Sequence, residues 1–239
     1  MHKKQPPLYL ALDAHTIEGC HAMAALVREV DGDFGFKLNQ DLLMQYGAGK
    51  MVREFAETYG RPVFADVKMW NGGRTMESTI ANLAEAGAAI TNVYAHAGKK
   101  ALERALKSVA GTNLQVFGLG ILTHYTEEYC QAVYRSSLPG MVRQFAEMCL
   151  EAGLPGYILP GTCLEEVSDL PLLKLVPAVR PDWFEDKQTN DQEQTVAPFS
   201  AFLGGATTVV CGSPVFKSAD PADALRRILA EITEARFAA

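Results

Sequence analysis

Residues 62–75 read Pro-Val-Phe-Ala-Asp-Val-Lys-Met-Trp-Asn-Gly-Gly-Arg-Thr. The stretch opens as a near-continuous apolar run and closes on two charges, Asp66 and Lys68, ahead of a Gly-Gly turn signal. An apolar run without polar alternation is what a parallel strand needs when both of its faces are covered. Seven further runs have the same character: Leu8 to Asp13, Phe34 to Leu38, Ala89 to Tyr94, Leu114 to Thr123, Gly156 to Leu159, Leu173 to Val179 and Thr207 to Gly212. Amphipathic helical patterns lie between them, over Ala81 to Ala86, Lys99 to Val109, Met141 to Ala152 and Ala222 to Ala235. Strand and helix therefore alternate eight times, which fits a closed barrel or a doubly wound sheet. No Gly-x-Gly-x-x-Gly turn follows the first run, so the barrel is the better reading. The expected fold is α/β, a (β/α)8 TIM barrel, with residues 1–239 forming a single domain.

Composition narrows the function. Hydrophobic residues make up 48% of the 239 and charged residues 21%, a globular balance with ample material for a core. A net charge of -6 argues against a general nucleic-acid binder, because such binding is driven by excess Lys and Arg. The apolar run after the N-terminal Lys3-Lys4 is cut short by Asp13, too early for a signal peptide. No stretch approaches the roughly 20 apolar residues that span a bilayer. A cytoplasmic protein without a membrane partner is expected. Cys20, Cys130, Cys149, Cys163 and Cys211 are irregularly spaced with no Cys-x-x-Cys pair, so buried reduced thiols are favoured over disulfides or a zinc site.

In this fold, active sites lie at the C-terminal ends of the strands. The polar residues there are Asp13 after the first run, Lys37 in the second, Asp66 and Lys68 in the third, and Thr123 in the fifth. Arg180 follows the seventh and Gly212-Ser213 the eighth. A polar segment from Arg180 to Gln194 is long enough for a lid or binding loop, placing one at about 180–197. Asp66 and Lys68, two apart on a strand, leave the same face. An isolated Asp-x-Lys is more often a solvated ion pair at the rim. Convergence with Lys37 and Asp13 on adjacent strands changes that balance. Two lysines flanking a carboxylate hold it ionised in a desolvated pocket, and one of them can donate a proton. Such a cluster suits the formation and protonation of a carbanion.

These residues resemble the orotidine 5'-phosphate decarboxylase superfamily. The stretch from Phe64 to Thr75 looks like its Asp-x-Lys-x-x-Asp signature, and Leu10 to Asp13, Phe36 to Leu38, Ile121 to Thr123 and Pro177 to Pro181 look like its first, second, fifth and seventh strands. Asn190-Asp-Gln192 followed by Pro198 looks like its phosphate lid, so the likeness runs from about residue 8 to 222. The resemblance implies decarboxylation of orotidine 5'-monophosphate to uridine 5'-monophosphate, in pyrimidine biosynthesis, with no cofactor and no metal. It puts Asp66 beside the departing carboxylate, makes Lys68 the proton donor, and gives Lys37 the ribose and the charge array. Asn71 completes the catalytic set it implies. Substrate binding falls on Asp13, Thr75, Thr123, Arg180, Gln192, Gly212 and Ser213. It also implies a homodimer with shared active sites, in which Asn71 and Thr75 reach into the partner's site.

Three positions depart from the pattern. Asn71 stands where the signature has a second Asp, which removes a negative charge and raises the local positive potential. Ser213 stands where the family has a phosphate-binding Arg, leaving Ser213, Arg180 or Lys217 to take that part. Pro160 stands where a Ser reads the base, leaving Thr162 or backbone groups. His96 and His124 occupy positions of smaller polar residues and receive no role. Because the departures gather at substrate contacts, two alternatives stay open: a divergent relative acting on another phosphorylated substrate, and a non-catalytic nucleotide-binding relative. The magnesium-dependent sugar-phosphate branch typically carries Glu where Lys37 stands, which speaks against that branch.

Overall fold

The computed structural model describes residues 4–14, 16–185 and 194–238. Eight parallel strands close into a barrel in chain order: β1 Leu8–Ala11, β2 Phe34–Asn39, β3 Val63–Met69, β4 Ile90–Tyr94, β5 Gln115–Leu119, β6 Gly156–Ile158, β7 Leu173–Val176 and β8 Thr208–Cys211. The last strand pairs with the first, Leu8 opposite Val209. Helix α1 (Ile17–Val27) follows β1, and α2 (Gln40–Tyr46) and α3 (Ala48–Tyr59) follow β2. Next come α4 (Gly73–Glu85), α5 (Lys99–Lys107), α6 (Glu127–Tyr134) and α7 (Leu138–Glu151). The chain ends with α8 (Pro198–Leu203), α9 (Ser213–Phe216) and α10 (Pro221–Ala238). Among the described residues none of these helices is long and apolar enough to cross a membrane. All five cysteines are free and buried, as their spacing implied.

The near-continuous apolar runs become strands because both of their faces are buried. One face packs under the helices. The other fills the barrel with a separate cluster that includes Tyr9, Ala11, Phe64, Phe117, Leu119, Ile158, Leu175 and Val210. Each fully buried large apolar side chain contributes about 1.5–3 kcal/mol relative to exposure. Tyr9 reaches across the floor, its hydroxyl donating to Gln5 at 2.5 Å and its ring meeting Phe64 edge-on at 5.8 Å. Only glycine at position 35 allows this, since a Cβ there would lie 2.6 Å from the Tyr9 ring.

The two-residue strand period continues this inward face upward to the mouth. Tyr9 and Ala11 lead to Asp13, Gly35 to Lys37 and Asn39, Phe64 to Asp66, Ile90 to Asn92, and Val210 to Gly212. Apolar residues plug the bottom, and polar ones crown the top.

Six strands are shorter than their apolar runs, β5 and β7 by the most. β5 stops at Leu119 rather than Thr123 because both neighbours stop there, Tyr94 and Ile158 being its last partners. β7 stops at Val176; Ala178 then takes a φ of 58°, and Val179 pairs alone with Val196. The fourth helix starts earlier than its clearest periodicity, at Gly73, with Met76, Ile80 and Leu83 as the buried stripe. Arg74 and Thr75 thus fall in its first turn.

Alanine in the left-handed region is strained by its Cβ, and glycine is not. Ala178→Gly is expected to stabilise the protein by about 1 kcal/mol, the strain relieved less the backbone entropy glycine adds. A rise in the urea midpoint at unchanged slope is the reading that checks it.

Candidate active site

The strand ends bring the charges of the sequence into one constellation. Asn39 of β2 sits opposite Asp66 of β3 in the ladder, and Lys37 opposite Phe64, so both lysines converge on one carboxylate. Asp66 Oδ2 lies 2.7 Å from Lys68 Nζ and 3.4 Å from Lys37 Nζ. Lys37 Nζ is also 3.6 Å from Asp13 Oδ1 and donates to Asn39 Oδ1. Asn39 Nδ2 in turn donates to Asp13 Oδ1 at 2.5 Å. The other Asp66 oxygen accepts from Asn92 Nδ2 at 2.7 Å.

Burial makes these contacts strong. Asp66 is 6% exposed and Lys37 9%, so their attraction acts where water screens little. Burial alone would raise the Asp66 pKa; the adjacent Lys37 and Lys68, with hydrogen bonds from Lys68 and Asn92, outweigh it and hold the carboxyl at about 2. Burial likewise disfavours the Lys37 ammonium, yet Asp66 and Asp13 hold its pKa above the ordinary value. At neutral pH Asp66 is therefore an anion fixed between two cations. A desolvated array of this kind repels a further anion placed beside Asp66, and it offers an ammonium proton to a carbanion formed there.

The array opens into a cavity of about 380 Å³ at the C-terminal mouth of the barrel. Phe64, Leu119, Ile158, Leu175 and Val210 form its apolar floor, and Asp13, Thr123, His124, Arg180, Gly212 and Ser213 its upper wall. Gly212 lies directly under Asp13, and a Cβ there would stand 2.3 Å from Asp13 Oδ2 unless that carboxylate moved. The chain from residue 194 onward is stitched to this rim. Gln194 N donates to Thr123 O at 3.0 Å, Thr162 Oγ1 donates to Gln194 Oε1, and Arg180 N donates to Val196 O at 2.9 Å. Among the described residues no group of three or more His, Cys, Asp or Glu side chains is placed to hold a metal ion.

Of the positions singled out in the sequence, Asp13, Lys37, Asp66, Lys68, Thr123, Arg180, Gly212 and Ser213 line this one cavity. Asn71 and Thr75 do not; both are exposed, at the loop and first turn that follow β3. Gln192 lies outside the described residues, as does the lid expected at 180–197 over residues 186–193. Neither Pro160, which is buried, nor Thr162, which is exposed, lines the cavity. His96 packs outside it, 4.2 Å from the Phe145 ring, with Nε2 2.9 Å from the Tyr134 hydroxyl. Burial lowers the His96 pKa. Two contributors escaped the sequence reading, Asn39 and Asn92. Their signal was present: each is a polar side chain at an inward strand position.

The model of the orotidine 5'-phosphate decarboxylase / HUMPS family matches residues 6–228, nearly the whole chain. The chain belongs to this family. Members named orotidine 5'-phosphate decarboxylase include one from Paramagnetospirillum magneticum, 30% identical over 238 residues, covering 95% of this chain and 98% of its own. One from Caulobacter sp. is 27% identical over 231 residues, covering 95% and 97%. The crystal structure of orotidine 5'-phosphate decarboxylase from Lactobacillus acidophilus superposes with a TM-score of 0.80 at 20% identity, over 95% of this chain and 99% of that one, a likeness of fold.

Proposed function

We propose that the protein is a carboxy-lyase that converts orotidine 5'-monophosphate to uridine 5'-monophosphate with no cofactor and no metal. The observation that carries the reading is the ionised, buried Asp66 clamped between Lys37 and Lys68 just above the apolar floor of the cavity. The pyrimidine carboxylate would sit beside Asp66, and repulsion between the two anions would be relieved as the C6–carboxyl bond breaks and carbon dioxide leaves. The electron pair stays on C6. Lys68 Nζ gives its proton to that carbon and regains one from water, while Lys37 keeps Asp66 charged throughout. Asp13 holds ribose hydroxyls, and Arg180, with Ser213 and the Gly212 backbone, takes the phosphate in place of the arginine expected at position 213. The exposure of Asn71 and Thr75 fits a homodimer in which both serve the partner's site, each barrel acting as a single domain.

A second reading, a relative acting on a different phosphorylated substrate, draws support from Ser213 and Pro160. The two separate in one experiment. Purified protein is mixed with orotidine 5'-monophosphate, and loss of the orotate absorbance is followed with and without EDTA. Turnover that survives the chelator supports the first reading. Turnover no faster than that of Lys68→Ala removes it, leaving the second or a non-catalytic nucleotide binder.

The same reading fixes the part played by Gly212. Gly212→Ala would push the Asp13 carboxylate off Asn39 and Lys37, at little cost to folding because Asp13 is exposed. Affinity for uridine 5'-monophosphate is expected to fall about tenfold, the scale of one lost charged hydrogen bond. Titration calorimetry reads the loss, and the melting temperature is expected to stay within about 2 °C.

A further inference from the structure

Opposite the charge array, β4 carries a buried asparagine. Asn92 is 1% exposed, and both ends of its amide are spent on the array. The ladder between β3 and β4 is regular at Phe64 opposite Ile90 and Ala65 opposite Thr91, then shifts and resumes at Met69 opposite Val93. From 65 to 69 is four steps on β3, and from 91 to 93 is two on β4, so β3 bulges where it faces Asn92. Within the bulge Lys68 has a φ of 44°, in the left-handed region that a non-glycine residue occupies only under strain. A bulge also leaves backbone groups without ladder partners.

Asn92 supplies the missing partner. The Lys68 backbone N–H donates to Asn92 Oδ1 at 2.7 Å. Since a backbone N–H can only donate, that bond fixes which end of the amide is oxygen. The nitrogen end must then face Asp66, and it donates to Oδ1 at 2.7 Å. One carboxylate oxygen is thereby held by Asn92, and the other is left to Lys68 and Lys37. On a regular strand, residues two apart stand roughly 6.6 Å apart with their side chains parallel. In the bulge the Lys68 ammonium stands 2.7 Å from Asp66.

We propose that Asn92 is the positioning residue of this site: its amide holds the Lys68 backbone in the left-handed conformation and, with its other end, fixes the Asp66 carboxylate against which Lys68 is aimed. The proposal rests on reading Lys68 as the proton donor, and its test separates the two. Asn92→Leu keeps the branched shape and removes both bonds. Asn92→Asp keeps the acceptor for Lys68 N–H and replaces the donor to Asp66 with a like charge. The groups facing Asp66 are Lys37 from β2, Lys68 on its own strand, Asp13 beyond β1 and Tyr94 further along β4, and both variants leave all four unchanged.

In crystal structures, Asn92→Leu is expected to show Lys68 at negative φ with Nζ more than about 4 Å from Asp66, a result that needs no substrate. In turnover of orotidine 5'-monophosphate, kcat is expected to fall about 10- to 100-fold with KM within about threefold. The acid limb of the kcat profile is expected to move up by about one pH unit in both variants, because Asp66 loses a bond that favours its ionised form. If Asn92→Leu does not fold, the Asn92→Asp profile decides. Lys68 still at positive φ within about 3 Å of Asp66 in Asn92→Leu, or an acid limb unmoved in Asn92→Asp, overturns the proposal. No turnover by the wild type rejects the decarboxylase reading alone, and the crystal structures, of Asn92→Leu or failing that of Asn92→Asp with the same positional criterion applied to Asp66, still decide the role of Asn92.

Discussion

Lys68→Ala is expected to lower kcat for orotidine 5'-monophosphate by about 10²- to 10⁴-fold, the usual worth of a positioned proton donor. Lys68 is the lysine closer to Asp66, and its side chain is 32% exposed against 11% for Lys37. It therefore faces the cavity, where a substrate carbon would sit, more openly than Lys37 does. Without the Lys68 ammonium, a carbanion formed over the floor has no donor within the array and must wait for water. The fold does not depend on it: Lys37 still pairs with Asp66 at 3.4 Å, and the Asn92 bond engages only the backbone of residue 68. Steady-state kinetics with circular dichroism on the same preparation give the comparison. A fall in kcat at unchanged spectrum is the expected pair of readings, and a kcat within threefold of wild type contradicts the assignment.

Asp66→Ala is expected to damage the fold as well as the chemistry. Removing one partner of a buried ion pair leaves an uncompensated charge and costs about 3–5 kcal/mol. Here it leaves two lysines facing each other, one of them 9% exposed. At about 2–4 °C per kcal/mol for a chain of this size, the melting temperature should drop by about 6–20 °C. Acid should act through the same residue. The Asp66 pKa is depressed in the fold, from 3.8 to about 2, so its contribution is complete above the unfolded value and is lost as pH falls through the folded one. The wild type is expected to lose about 2 kcal/mol between about pH 4 and pH 2 from this group. Chemical denaturation across that range checks the slope, and Asp66→Asn should flatten it. An unchanged slope in that variant contradicts the clamped carboxylate.

Much of this was legible in the sequence because two-residue periodicity and apolar continuity are local properties. The eight runs became eight strands, and the inward face could be followed from Phe64 to Asp66 and from Gly35 to Lys37 without knowing the helices. Strand ends were less legible, because they depend on neighbours: Thr123 lies beyond β5 only because β4 and β6 end opposite Leu119. The bulge at Lys68 was not legible at all. A left-handed φ on lysine has no residue signature, and it persists here because Asn92, 24 positions further along the chain, supplies the bond. Asn92 itself was passed over as one polar residue in an apolar run. The parts expected for Asn71 and Thr75 concern a second subunit, and neither touches the cavity of its own chain.

In the proposed reaction the Lys37, Asp66 and Lys68 array expels a carboxylate and protonates the carbon left behind. Release of carbon dioxide from carboxyl-radiolabelled orotidine 5'-monophosphate tests it most directly, with wild type and Lys68→Ala measured side by side. Label lost by the wild type in step with formation of uridine 5'-monophosphate, and slowed at least about 10²-fold in Lys68→Ala, is the expected result. Equal rates of label loss in the two proteins, or none from the wild type, would contradict it.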